Sequence, residues 1–230
     1  METEYEMQDA ERVIISLANS YAYVKQRKEN EQPESESTTS PTEVASSLQY
    51  LIDKIWNNNT SKQVNKAPKL LQSLIALVTF RLDEHISEEL DQQIFSFRSR
   101  SRDCLYQIQF SSDEQDQSEL VNQEYGRMIC ISISAAGGKG EEQDEEILSG
   151  LYRIYMLFSE LHEGRNSNQQ PSFYPLPLFT QRSIEQIKEE GAIEEIEAQM
   201  NNNVYNDSIK KNAYYAKVAI LNRFIRRRWI

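Results

Sequence analysis

Glycine and proline are scarce in this 230-residue chain, which holds seven of the first and six of the second. A sandwich or barrel turns often and draws on both residues to do so, so the scarcity speaks for long helices and against an all-β fold. Cysteine is scarcer still, with Cys104 and Cys130 alone. Two thiols fit a reducing compartment, where they stay free and buried, better than a disulfide framework. The only histidines are His85 and His162, and neither sits in a cluster of Cys or His. A zinc site needs three or four ligands at short spacing, so no metal and no cofactor is expected. No apolar run approaches the roughly 18 residues of a membrane span. Nor does Met1-Glu2-Thr3-Glu4-Tyr5-Glu6 have the basic start and apolar stretch of a secretory signal. An intracellular setting, cytoplasm or nucleus, with no membrane partner is the expectation.

What the chain does have is charge, 27% of its residues, and a net −11. The distribution is uneven. Between Ser208 and Ile230 there is no acidic residue, while Lys210, Lys211, Lys217, Arg223, Arg226, Arg227 and Arg228 add seven positive charges, so the remainder carries −18. A strongly acidic body is a poor match for a phosphate backbone, and a short basic end is a docking patch that other charges can find. Runs of Asn, such as Asn57-Asn58-Asn59 and Asn201-Asn202-Asn203, match a bias seen in AT-rich eukaryotic genomes.

Hydrophobic spacing predicts helices through most of the chain. Val13, Leu17, Tyr21 and Val24 form a stripe of helical period over about 7–27. Residues 29–43, bracketed by Pro33 and Pro41 and rich in Ser, Thr and Glu, read as a disordered linker. The organisation expected is therefore an N-terminal helix over 1–28, the linker over 29–43, and one helical domain over 44–230. Within that domain, helices are predicted from near Thr42 to the Asn57 turn, from Pro68 to about Leu82, over Glu88–Phe110, over Ile147–Leu161, over Phe179–Glu190, over Ile193–Met200, and from Asp207 to about Arg228. Ser111–Ser118 and Gly137–Glu146 read as acidic loops. Leu120–Ala136 is open between helix and strand, because Met128-Ile129-Cys130-Ile131-Ser132-Ile133 carries β-branched residues between helix-like flanks.

Catalytic signatures are missing. Gly137-Gly138-Lys139 lacks a phosphate loop's first glycine, since position 133 is Ile133, and lacks the Ser or Thr after the lysine, where Gly140 stands. Carboxylates are dense on helices, as in Glu189, Glu190, Glu194, Glu195 and Glu197, a pattern of solvated faces. Arg98-Ser99-Arg100-Ser101-Arg102 reads as the exposed side of a helix in preference to a phosphorylation or RNA-contact site. The expectation is a protein that is not an enzyme.

The most informative stretch begins with Gly191-Ala192-Ile193-Glu194-Glu195-Ile196, a short amphipathic helix, and turns at Asn201-Asn202-Asn203. A longer helix follows, with Ile209, Ala213, Ala216, Ile220, Leu221 and Phe224, its alanines three apart. This single copy of about 35 residues resembles an armadillo repeat. The resemblance implies stacked helices that form a solenoid and bind other proteins, with Asn222 as the candidate for the polar ladder of the inner helix.

These readings converge on an all-α fold, an irregular helical bundle or a short armadillo/HEAT-like solenoid. The function expected is an adaptor or scaffold subunit of a larger eukaryotic assembly, binding other protein subunits through a helical groove and the basic C-terminal helix. The residues expected to bind the partner are Lys210, Lys211, Tyr214, Asn222, Arg223, Arg226, Arg227, Arg228 and Trp229. Arg and Trp are the commonest binding hot spots. The alternative partner is nucleic acid, met by the same basic helix.

Overall fold

In the computed structural model the structure describes residues 7–19, 41–58, 68–80, 88–133, 144–201 and 207–221. These residues form an all-α protein, with no strand among them and one isolated antiparallel bridge, Arg165 to Phe173. The chain divides into two compact units, Met1–Ser111 and Ser112–Ile230. The division falls inside the 44–230 span that the sequence suggests as one helical domain.

The first unit contains α1 (7–19), α2 (Pro41–Asn58), α3 (Pro68–Val78) and α4 (Glu88–Ser111). Pro41 and Pro68 open their helices because the first turn has no use for the N–H that proline lacks. The predicted linker over 29–43 thus ends in helix at Pro41, and 29–40 lie outside the described residues. Val44, Leu48, Leu51 and Ile55 of α2 are buried at spacings of four, three and four, as are Leu70, Leu71, Leu74, Leu77 and Val78 of α3. Both helices pack on α4, through Ile94, Phe97, Cys104, Leu105 and Ile108. Full burial of one such side chain contributes about 1.5–3 kcal/mol.

The Arg/Ser alternation on α4 is not an exposed face. Arg100 donates from Nη1 to the Ala45 carbonyl at 3.1 Å and to Gln49 Oε1 at 3.0 Å, tying α4 to α2. Arg98 donates to the Phe80 carbonyl at 3.1 Å. Ser101 and Arg102 are buried. The alternation is read correctly as helical, but its basic side chains bond backbone carbonyls of α2 and of the turn after α3.

The second unit contains α5 (Glu114–Asn122), α6 (Tyr125–Cys130), a 3-10 turn (Ile131–Ile133), α7 (Asp144–Glu163), α8 (Pro177–Glu189), α9 (Ala192–Asn201) and α10 (Asp207–Leu221). Of the acidic loop expected at Ser111–Ser118, Ser111 ends α4 and Glu114–Ser118 form the start of α5. Asp113 accepts from the Asp116 backbone N–H at 3.1 Å, and Asp116 accepts from the Asp113 N–H at 3.3 Å. This reciprocal capping box uses acids where the helix dipole favours them. Leu120–Ala136 is helical as far as it is described: α5 runs into α6 through a left-handed Glu124, φ 63°, and the 3-10 turn follows. Residues 134–143 and His85 lie outside the described residues, including the Gly137–Lys139 segment.

α7 is the central helix of this unit, packing against α10, α8, α6 and the 3-10 turn. Ile147, Leu151, Ile154, Leu157, Phe158 and Leu161 are its buried face. Gly150 is required by close approach, because a Cβ there would lie 2.2 Å from Ser132 Oγ and 2.8 Å from Ile133 Cγ2. Gly164 ends α7 as expected of a C-terminal glycine, at φ +73° with its N–H on the Glu160 carbonyl at 2.9 Å. α10 buries Ile209, Ala213, Ala216, Ala219 and Ile220, and small side chains of this kind let two helices lie close together.

Candidate functional site

The α7–α10 pairing brings four tyrosines onto one surface. Tyr152 and Tyr155 stand three residues apart on α7, so they share a face. Tyr214 and Tyr215 are neighbours on α10, turned out by the burial of Ala213 and Ala216 on either side of them. The ring centroids follow one another at 6.4 Å from Tyr152 to Tyr155, 6.0 Å from Tyr155 to Tyr215, and 5.9 Å from Tyr215 to Tyr214. Tilted and edge-on rings of this spacing are the favoured aromatic arrangement. The surface is open: Tyr152, Tyr214 and Tyr215 are 42%, 54% and 41% exposed.

A positive charge sits at its edge. Lys211, one turn before Tyr215, places its Nζ 5.9 Å from that ring's centroid. At an exposed site such a contact contributes about 0.5–1 kcal/mol. Lys210 beside it is half-buried. Lys217, on the same helix, is engaged by Glu197 of α9 at 2.8 Å, a surface pair that holds α9 and α10 together weakly.

Of the residues expected to bind a partner, Lys210, Lys211 and Tyr214 lie on α10, and Lys211 and Tyr214 both neighbour Tyr215. Asn222, Arg223, Arg226, Arg227, Arg228 and Trp229 lie outside the described residues. Neither Tyr152 nor Tyr155 stands out in the sequence as a binding residue. Their i, i+3 spacing was visible, but the register that sets Tyr155 against Tyr215 exists only once α7 and α10 pack.

Tyrosine offers a rigid apolar ring and one hydroxyl, which suits recognition. Both cysteines are free and buried. Burial pushes the Cys104 thiol well above its ordinary range, with Asp103 adding to the rise and Arg100 opposing it. Burial does the same to Cys130, with Glu190 adding to it. A thiol so raised stays protonated at neutral pH and is a poor nucleophile. His162 is half-buried beside Phe158, their rings 6.5 Å apart. Among the described residues no group of three or more His, Cys, Asp or Glu could hold a metal ion. No helix among them is long and apolar enough to cross a membrane.

Fold and surface together define an all-α protein that displays a continuous tyrosine surface on two packed helices. Comparison with protein-family models, with curated proteins and with solved structures gave no match.

Proposed function

We propose that the chain is a non-enzymatic adaptor or scaffold subunit of a larger eukaryotic assembly, and that it holds a protein partner on the tyrosine surface of α7 and α10. The observation that carries this reading is the run of four rings, Tyr152, Tyr155, Tyr215 and Tyr214, each within 6.4 Å of the next, with Tyr155 half-buried and the other three exposed. Tyrosine buries much area on binding at little entropic cost, because only two side-chain torsions are frozen, and it is enriched among binding hot spots. Lys210 and Lys211 give the surface a positive edge, and no acidic residue stands between Ser208 and Ile230. The partner's contact face is therefore acidic, and the charges speed and orient its approach.

An armadillo-like role for the α9–α10 pair belongs to the same proposal. Support comes from the left-handed Gly191 before a short helix, φ +67°, and from Ala213 and Ala216 buried in the longer one. So does an intracellular location, which two free, buried thiols support. The second reading, nucleic acid, draws on the same features, since tyrosine rings beside lysines also form stacking platforms for single strands.

One experiment separates the two. The tagged chain and its Tyr214→Ala/Tyr215→Ala variant are purified from native cells with and without nuclease, and the co-purifying proteins are identified. Partners that survive nuclease and vanish from the variant are the expected result. Loss on nuclease alone would transfer the proposal to nucleic acid, and binding would then fall steeply with salt.

A further inference from the structure

The two helices that carry the tyrosine surface share an outer face almost without charge. From Leu148 to Ser159 every exposed or half-buried residue of α7 is uncharged, and the one charged residue of that span, Arg153, is buried. On α10 the stretch from Ala213 to Leu221 holds a single charge, Lys217, which Glu197 engages at 2.8 Å. A helix solvated on its outer side normally gathers its charges there, and 27% of this chain is charged.

The uncharged positions are spaced for a third helix. Tyr152, Met156 and Ser159 stand at i, i+4 and i+7 on α7, and Tyr214, Val218 and Leu221 repeat that spacing on α10. Both rows turn away from the faces that the two helices bury, with Tyr214 and Leu221 54% and 53% exposed. Tyr155 and Tyr215 join the rows across the seam, their centroids 6.0 Å apart. Rows of this spacing are the ridges between which another helix sets its own side chains. Seven residues of helix rise about 10 Å, so each row covers about two turns of a helix lying along it.

Backbone chemistry and charge point to the same occupant. α7 and α10 bond their own N–H and C=O groups, so the seam offers an extended peptide no strand edge to pair with. A helix arrives with its backbone already satisfied and needs only apolar side chains at i, i+3 or i+4, and i+7. α10 opens on Lys210 and Lys211 and has no acid after Asp207, so a second copy of this chain would bring lysines to lysines. Acidic residues on the incoming helix complement them. Resting on the reading of the tyrosine surface as a binding site, we propose that its occupant is an acidic, amphipathic α-helix of a partner protein, laid along the seam of α7 and α10 with its acids at Lys210 and Lys211.

The full chain is offered a phage-displayed library of random 16-residue peptides, and the enriched peptides are synthesised for titration and circular dichroism. Peptides that are acidic, apolar at helical spacing and bound with micromolar Kd are expected, and they gain helix on binding. A proline placed at mid-peptide weakens them at least about tenfold. Tyr152→Ala and Tyr214→Ala are each expected to weaken binding about tenfold, with melting curves unchanged because both rings stand in solvent. Lys210→Glu/Lys211→Glu weakens the acidic peptides by a similar factor. Peptides that tolerate the proline yet are lost with Tyr214→Ala would overturn the helix and leave the tyrosine surface as a binding site. Peptides indifferent to both tyrosine substitutions would overturn the two readings together. The inference also fails if no peptide is enriched, if basic peptides are, or if light scattering shows a dimer of the chain that Tyr214→Ala dissolves.

Discussion

Three glycines of the second unit differ in what they would cost to replace, and the difference tests the packing residue by residue. At Gly150 an added methyl collides with Ser132 and Ile133, and at Gly164 it collides with backbone atoms of Phe173–Pro175 in a left-handed conformation. Gly191 is also left-handed, but nothing lies within 4 Å of its would-be Cβ. Gly150→Ala and Gly164→Ala are each expected to lower the unfolding free energy by about 1–3 kcal/mol, through overpacking and strain. Gly191→Ala bears only the left-handed penalty, about 1 kcal/mol. Urea denaturation of the three variants checks this order, and an equal loss at Gly191 and Gly150 would contradict the geometry. Glu160 is the matching case among charged residues. Removing it as Glu160→Ala strands the Arg165 guanidinium, with 5% of its side chain exposed, and is expected to cost about 3–5 kcal/mol in the same assay.

At the scale of elements, helix starts and thiol burial make the predictions. α5 begins on the Asp113–Asp116 capping box, so Asp113→Ala is expected to cost about 1 kcal/mol and to speed amide exchange first at Glu114–Gln117. Cys104 sits in the middle of α4, its Sγ donating to the Leu48 carbonyl of α2 at 3.5 Å, and Cys130 ends α6. Burial raises both thiols, so the folded state keeps its thiol protons where the unfolded state has lost them. The stabilisation is complete below the ordinary thiol range, about 8.5, and is lost as pH rises through and above it. Denaturant midpoints followed between pH 7 and 10 are expected to fall at the alkaline end. That fall is smaller when Cys104 and Cys130 are both replaced by alanine. A thiol reagent at pH 8 is expected to label neither cysteine until the protein unfolds.

For the whole molecule, the division at Ser111–Ser112 matters most. Each unit has its own buried apolar residues, those of α2, α3 and α4 in the first and those around α7 in the second. Residues 112–230 alone are therefore expected to fold, with a helical circular dichroism spectrum and a cooperative thermal transition; a featureless melt would show that the second unit depends on the first.

Helix content was legible in the sequence because an amphipathic stripe of period 3.6 is a local property. Val44, Leu48, Leu51 and Ile55 announce α2 without reference to any neighbour. So does the C-terminal glycine of α7. The capping box was also local, and acids dense enough to look like a loop concealed it. Which polar residues go inward was a different matter. Arg98 and Arg100 read as solvated charges and instead bond carbonyls of residues 18 and 55 positions away in the chain, and no window of sequence contains both partners. The tyrosine surface has the same origin: the sequence placed Tyr214 beside lysines, and only the packing of α7 on α10 sets Tyr155 against Tyr215 across 60 residues. Periodicity determined which segments coil and which stripe each one buries, because those follow from bonds within a turn. The meeting of side chains from distant helices was decided by tertiary structure alone, because register and approach are settled where small residues such as Gly150, Ala213 and Ala216 let one helix close on its neighbour.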